Sequence, residues 1–69
     1  MSRESRTFLE EARGYADKGD IRSALIELRN SLKADPNNVD ARLLLADLYL
    51  KGGQGIAAQT EIEAARKAG

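Results

Sequence analysis

The chain repeats itself. Shifted by 34 residues, it places Leu9 on Leu43, Ala12 on Ala46, Tyr15 on Tyr49 and Gly19 on Gly53. The same shift places Ala24 on Ala58, Glu27 on Glu61, Lys33 on Lys67 and Ala34 on Ala68, with Leu28 facing Ile62 and Ser31 facing Ala65. Alanine-rich helices match by chance, but tyrosine and glycine in one register do not, so two copies of one unit are the economical reading. A period of this length belongs to architectures built from one supersecondary unit stacked on the next.

Within each unit the apolar spacing is helical. Phe8, Ala12 and Tyr15 fall at i, i+4 and i+7, and Ile21, Ala24, Leu25, Leu28 and Leu32 form a second stripe. Between them stands Lys18-Gly19-Asp20, where glycine ends one helix and aspartate caps the next. Asp35-Pro36-Asn37-Asn38 is the stronger break, because proline disfavours helical backbone in the residue before it and Asn38 suits an N-cap. A third helix is expected over Val39–Lys51 and a fourth over Ile56–Lys67. Asp47 with Lys51 and Glu63 with Lys67 add i,i+4 charge pairs, and Arg66 and Lys67 suit the last turn. No segment alternates like a strand. The expectation is an all-α chain of four antiparallel helices in two helical hairpins, a right-handed α-solenoid fragment forming a single domain over 1–69. Repeat one spans about 5–38 and repeat two about 39–69.

Composition removes several function classes. Eleven basic residues balance eleven acidic ones, leaving a net charge of zero where a nucleic-acid binder needs a basic surplus. A helix-turn-helix reading of the second and third helices fails for the same reason: the third presents Asp40, Asp47 and three consecutive leucines. The longest apolar run, Leu43-Leu44-Leu45-Ala46, is too short for membrane insertion, and MSRESRTFLEEA lacks the apolar core of a signal peptide. With no cysteine and no histidine, thiolate and imidazole ligands are missing, and neither cofactor nor metal is expected.

Catalysis has little to work with. Glu10-Glu11 and Glu61/Glu63 are the close acidic pairs, and their spacing sends the side chains to different sides of a helix, as solvated surface. Ser2, Ser5, Ser23 and Ser31 have no histidine to activate them, and a chain of 69 residues can hardly build the pocket a Ser-Lys dyad needs. The expectation is that the chain is not an enzyme.

A 34-residue helix–turn–helix unit with small and aromatic residues at these spacings resembles the tetratricopeptide repeat. The first unit gives Phe8, Glu11-Ala12, Tyr15, Ala24-x3-Leu28 and Pro36, and the second gives Arg42, Leu45-Ala46, Tyr49 and Ala58-x3-Ile62. The resemblance covers about Arg6 to Gly69, and YxxKGD and DPNN strengthen it. Glu11 departs from the family's apolar residue and Arg42 from its large aromatic, while Gln59 and Arg66 stand where the first unit has Leu25 and Leu32. The polar outer face of the fourth helix suits a terminal repeat, and ordinary drift explains it equally well. The segment KGDIRSALIELRNSLKADPNNVDARLLLADLYLK is also similar to repeats of the large tetratricopeptide proteins that accompany bacterial exopolysaccharide and PEP-CTERM protein-sorting systems.

The family resemblance implies a protein–protein interaction module, with a protein or peptide partner on the concave face of the first and third helices. Carried onto this chain, the groove residues are Arg6, Leu9, Arg13, Ala16 and Asp17 from the first helix. The third contributes Asp40, Leu43, Leu44, Asp47, Leu50 and Lys51. Some members hold a peptide's terminal carboxylate with lysine and asparagine; two of those positions carry Leu9 and Leu44, so the clamp is not reproduced and a nonpolar peptide face or partner helix is the better ligand. Leu43, Leu44 and Leu50 equally suit a place in the core. An alternative is a scaffold that self-associates as a homo-oligomer, stacking or exchanging helices with another copy. Localisation is open between the cytoplasm and, for a piece of an exported repeat protein, the periplasm.

The glycine cluster in YLKGGQGIAAQ has a place in this scheme. A phosphate-binding loop needs lysine and then serine or threonine after its last glycine, and Ile56 and Ala57 stand there instead. Gly53 corresponds to Gly19 and marks a turn, while Gly55 replaces the packing side chain expected of Ile21, so the second turn is expected to be looser.

Overall fold

The computed structural model describes residues 2–69, and they form four α-helices: α1 (Arg3–Asp17), α2 (Ile21–Ala34), α3 (Val39–Lys51) and α4 (Gly55–Ala68). No strand occurs among the described residues. α1 packs along α2 and α3 along α4, and the two hairpins join where α3 lies against α2. The fourth helix gains one residue at each end over the sequence expectation, with Gly55 in its first turn.

Each hairpin turn is built the same way. Gly19 has φ +81° and Gly53 φ +77°, the left-handed backbone that glycine adopts without a Cβ penalty. The Asp20 N–H then reaches back to the Tyr15 carbonyl at 2.9 Å, and the Gln54 N–H to the Tyr49 carbonyl at 2.8 Å. Both turns therefore end their helix by the same wrapped motif, which satisfies carbonyls left orphaned at a helix C-terminus. The helix starts differ. Ser2, Asp20 and Asn38 accept from the backbone N–H three residues on, whereas Gln54 makes no side-chain cap bond.

The core is where the second hairpin meets the first. Leu9 and Ala12 of α1, Ala24 and Leu28 of α2, and Ala41, Leu45 and Leu48 of α3 form one buried cluster. Tyr15, Ala16, Leu25, Leu32, Leu44 and Tyr49 pack around it. Ala46, Ala58 and Ala65 are buried within the second hairpin, at the positions where the first has Ala12, Ala24 and Ser31. Small side chains there let the paired helices approach closely. Ile21 departs from the sequence reading: it is 40% exposed, because the first residue of α2 overhangs the stripe instead of closing it.

Three polar side chains are buried at the hairpin junction. Ser5 of α1 and Ser31 of α2 face each other, and Asn38, the N-cap of α3, donates its Nδ2 to the Oγ of Ser5 at 2.8 Å and of Ser31 at 3.3 Å. Its Oδ1 meanwhile accepts from the Ala41 N–H at 3.1 Å. One asparagine thus caps α3 and ties it to both helices of the first hairpin. No buried side-chain nitrogen or oxygen among the described residues lacks a partner.

Candidate interaction surface

The eleven expected groove residues separate into two groups. Arg6, Arg13, Asp17, Asp40, Leu43, Asp47, Leu50 and Lys51 are exposed. Leu9 is not: it is buried in the core cluster beneath α3, so no ligand reaches it and it is not a groove residue. Leu44 is half-buried and packs against the same cluster, as does Ala16, so their side chains serve the hairpin junction first. The physical reason is shared. α3 must bury one side on the first hairpin, and Leu44, next to Leu45 on the helix, turns with it.

What remains outward on α3 is an apolar strip with a charged border. Leu43 and Leu50 lie seven residues apart, two helical turns, which places one above the other on a single face. They are 46% and 56% exposed, well above what a packed leucine shows. Asp47 sits between them in sequence and pairs with Lys51 at 3.0 Å, an exposed i,i+4 bridge of small energetic weight. On α1, Arg13 Nε meets Glu10 Oε1 at 3.1 Å, again exposed. These charges set polarity around the strip and add little stability.

One acidic residue departs from the solvated-surface expectation. Glu61 is partly buried and accepts from Arg42 Nη1 at 2.9 Å, joining α4 to α3. Arg42 also donates through Nε and Nη2 to the Pro36 carbonyl, at 3.2 and 3.1 Å. The guanidinium therefore fills the position of the first unit's Phe8 by bonding the loop and α4 together. Glu10, Glu11 and Glu63 are exposed as expected.

Elsewhere the surface offers little for chemistry. An open depression of about 470 Å³ lies along α4, lined by Ile56, Gln59, Thr60, Glu63, Ala64 and Lys67. Among the described residues no group of three or more acidic, histidine or cysteine side chains is placed to hold a metal. No helix among the described residues is long and apolar enough to cross a membrane. Asp20 has its carboxyl held below the ordinary value of 3.8, first by the Ser23 hydroxyl and then by the Ser23 backbone N–H. That is the signature of an N-cap, not of a catalytic acid.

Comparison with known families gives one answer. The model of the tetratricopeptide repeat matches residues 15–69, most of the chain. The chain belongs to the tetratricopeptide repeat family. No curated protein and no solved structure matches it. The match and the two helical hairpins agree with the family's architecture of stacked helix pairs, and tetratricopeptide repeats are in general interaction units, not enzymes. The buried polar trio is the feature that sequence reasoning missed. Its signal was present as Ser5 and Ser31 standing where the second unit has Val39 and Ala65.

Proposed function

We propose that this tetratricopeptide unit captures a protein partner through the outward side of α1 and α3, taking an apolar peptide face or helix against Leu43 and Leu50. The supporting observation is the exposure of those two leucines on one face of α3, inside a helix whose other leucines are buried or half-buried. A leucine pair about half exposed, two turns apart, leaves apolar area in water that a partner can cover. Arg6, Arg13, Asp17, Asp40, Asp47 and Lys51 border it with both signs of charge, which favours a partner of mixed charge and selects orientation more than affinity. With leucine at the two clamp positions, recognition rests on apolar side chains and not on a terminal carboxylate. The resemblance of the segment 18–51 to repeats of bacterial exopolysaccharide and PEP-CTERM sorting systems supports a partner from that setting.

The test is capture from a lysate of the source organism with the wild-type chain and with Leu43→Ser/Leu50→Ser side by side, read by quantitative mass spectrometry. Both side chains are exposed, so the variant keeps its helix content. A defined set of proteins should be retained by the wild type and lost by the variant. Equal retention by a folded variant overturns the reading.

A further inference from the structure

The outer side of α2 carries charge that the fold does not use. Arg22, Ile26, Arg29 and Lys33 stand at i, i+4, i+7 and i+11, which stacks them into one ridge about 16 Å long. The ridge lies opposite the line of Ala24, Leu28 and Ser31 by which α2 is buried. All four side chains are exposed, Ile26 by 50%. None of the three cations has an ion-pair partner among the described residues, whereas Arg13, Arg42, Lys51 and Arg66 each have one. The Asp20 carboxylate senses Arg22 and Lys18, but it is committed to capping at Ser23. Glu27 lies off the ridge and accepts from the Asn30 amide.

The ridge works against the helix that carries it. Arg22 stands in the first turn, at the positive end of the helix dipole, with no acidic residue in that turn. Arg29 and Lys33 are like charges one turn apart, an unfavourable i,i+4 pair, and half of Ile26 is left in water. Only Lys33, in the last turn, suits its place. The second unit does without the ridge: the matching positions on α4 are Ile56, Thr60, Glu63 and Lys67, and Glu63 pairs with Arg66. Neither the repeat nor helix stability therefore accounts for three cations around an isoleucine. We propose that this ridge docks an acidic helical segment of a partner protein, with carboxylates on Arg22, Arg29 and Lys33 and an apolar side chain over Ile26. A helix fits because the ridge itself runs at helical spacing, and arginine forks hold carboxylates bidentately. A nucleic-acid backbone supplies anions but nothing apolar for Ile26, and three cations fall short of the clusters of about four or more that hold anionic membranes. The ridge is separate from the leucine pair of α3 and does not rest on the reading above.

The probe is an alanine-based helical peptide carrying three glutamates and one leucine at the ridge's own spacing, made in both directions of the pattern. It is titrated into the 15N-labelled full chain. Expected are saturable shifts along residues 22–33, binding weaker by about fivefold or more when the glutamates become glutamine, and further weakening with added salt. Arg22→Gln/Arg29→Gln should weaken binding about tenfold, and both side chains are exposed, so the variant keeps its helix content. Ile26→Ser, a second and neutral variant, should weaken it about threefold. Leu43→Ser/Leu50→Ser should bind the peptide as the wild type does, so the two surfaces stand or fall separately. Absence of saturation, equal binding of the glutamine peptide, insensitivity to both ridge variants, or shifts centred on Leu43 and Leu50 overturns the proposal. Tighter binding of phosphatidylserine vesicles or of a single-stranded oligonucleotide overturns it too, since a lipid surface or a nucleic acid would then be the occupant. So do shifts along the ridge that grow with protein concentration alone, which would make the occupant a second copy.

Discussion

Ser5 and Ser31 exchange their hydroxyl hydrogens crosswise: each Oγ donates to the other residue's backbone carbonyl at 2.7 Å, and the two Oγ atoms stand 3.0 Å apart. Each hydroxyl has one hydrogen, and both are committed to carbonyls, so the oxygens face one another with lone pairs only. The amide of Asn38 supplies the missing donors. A buried pair of serines therefore needs an asparagine beside it, and the N-cap of α3 is fixed to the first hairpin by that need.

Asn38→Asp tests this. The carboxylate keeps the capping oxygen but removes both donors, and places an anion against two oxygen atoms in a site that is 1% exposed. The expected loss exceeds about 2 kcal/mol, the cost of orphaned buried polar groups, in a domain whose total stability is a few kcal/mol. Urea melts at neutral pH measure it. Burial raises the introduced carboxyl's folded-state pKa above its unfolded value, so the penalty is complete at high pH and shrinks as pH falls through the raised pKa. A gap from wild type that is constant between neutral and acid pH contradicts the donor role.

The second hairpin should open first at its turn. Gln54 makes no cap bond and Gly55 stands where Ile21 opens α2, so the side-chain cap and the better helix former present at Asp20–Ser23 are absent. Amide exchange at residues 54–57 is expected to be faster than at residues 20–23. Gln54→Asp, which copies the Asp20 cap, should add about 0.5–1 kcal/mol, and Gly55→Ala a similar amount, since a Cβ there meets nothing within 4 Å. Thermal melts check both substitutions.

The Arg42 fork should resist conservative replacement. Arg42→Lys keeps the charge but loses the paired bonds to the Pro36 carbonyl, with an expected cost of about 1 kcal/mol. A double-mutant cycle with Glu61→Gln should give a coupling near 1 kcal/mol, because the pair is partly shielded from water. A coupling at the noise level would show that the arginine acts on the loop alone.

Acid should loosen the start of α2. The Asp20 carboxyl is held below 3.8 by Ser23, so its folded-state pKa lies under the unfolded one. The cap's contribution is complete above the unfolded pKa and is lost as pH falls through the depressed value. The Ser23 amide resonance, whose N–H donates to Asp20 Oδ1 at 3.2 Å, should titrate below pH 3.8. Asp20→Asn should abolish that titration while leaving the helix capped.

Most of the fold was legible in the linear order of residues. Helix ends are set by local chemistry, and Gly19, Asp20, Pro36, Asn38 and Gly53 act within one turn of where they stand. The burial of Leu9 was not legible, because Leu9 and Leu43 are the same residue in the same local frame. Glu61 was equally opaque: its charge suggested solvent, and its partner lies nineteen residues away.

The sequence by itself determined the repeat, the four helices and the turns between them, since each rests on interactions spanning a few residues. Only the tertiary structure decided which leucines are core and which are surface, and that two serines and an asparagine form the joint. The reason is that a 34-residue repeat writes the same apolar pattern twice, while burial depends on a covering helix. α3 covers the first hairpin, so Leu9 is core; Leu43, with no such cover among the described residues, faces water.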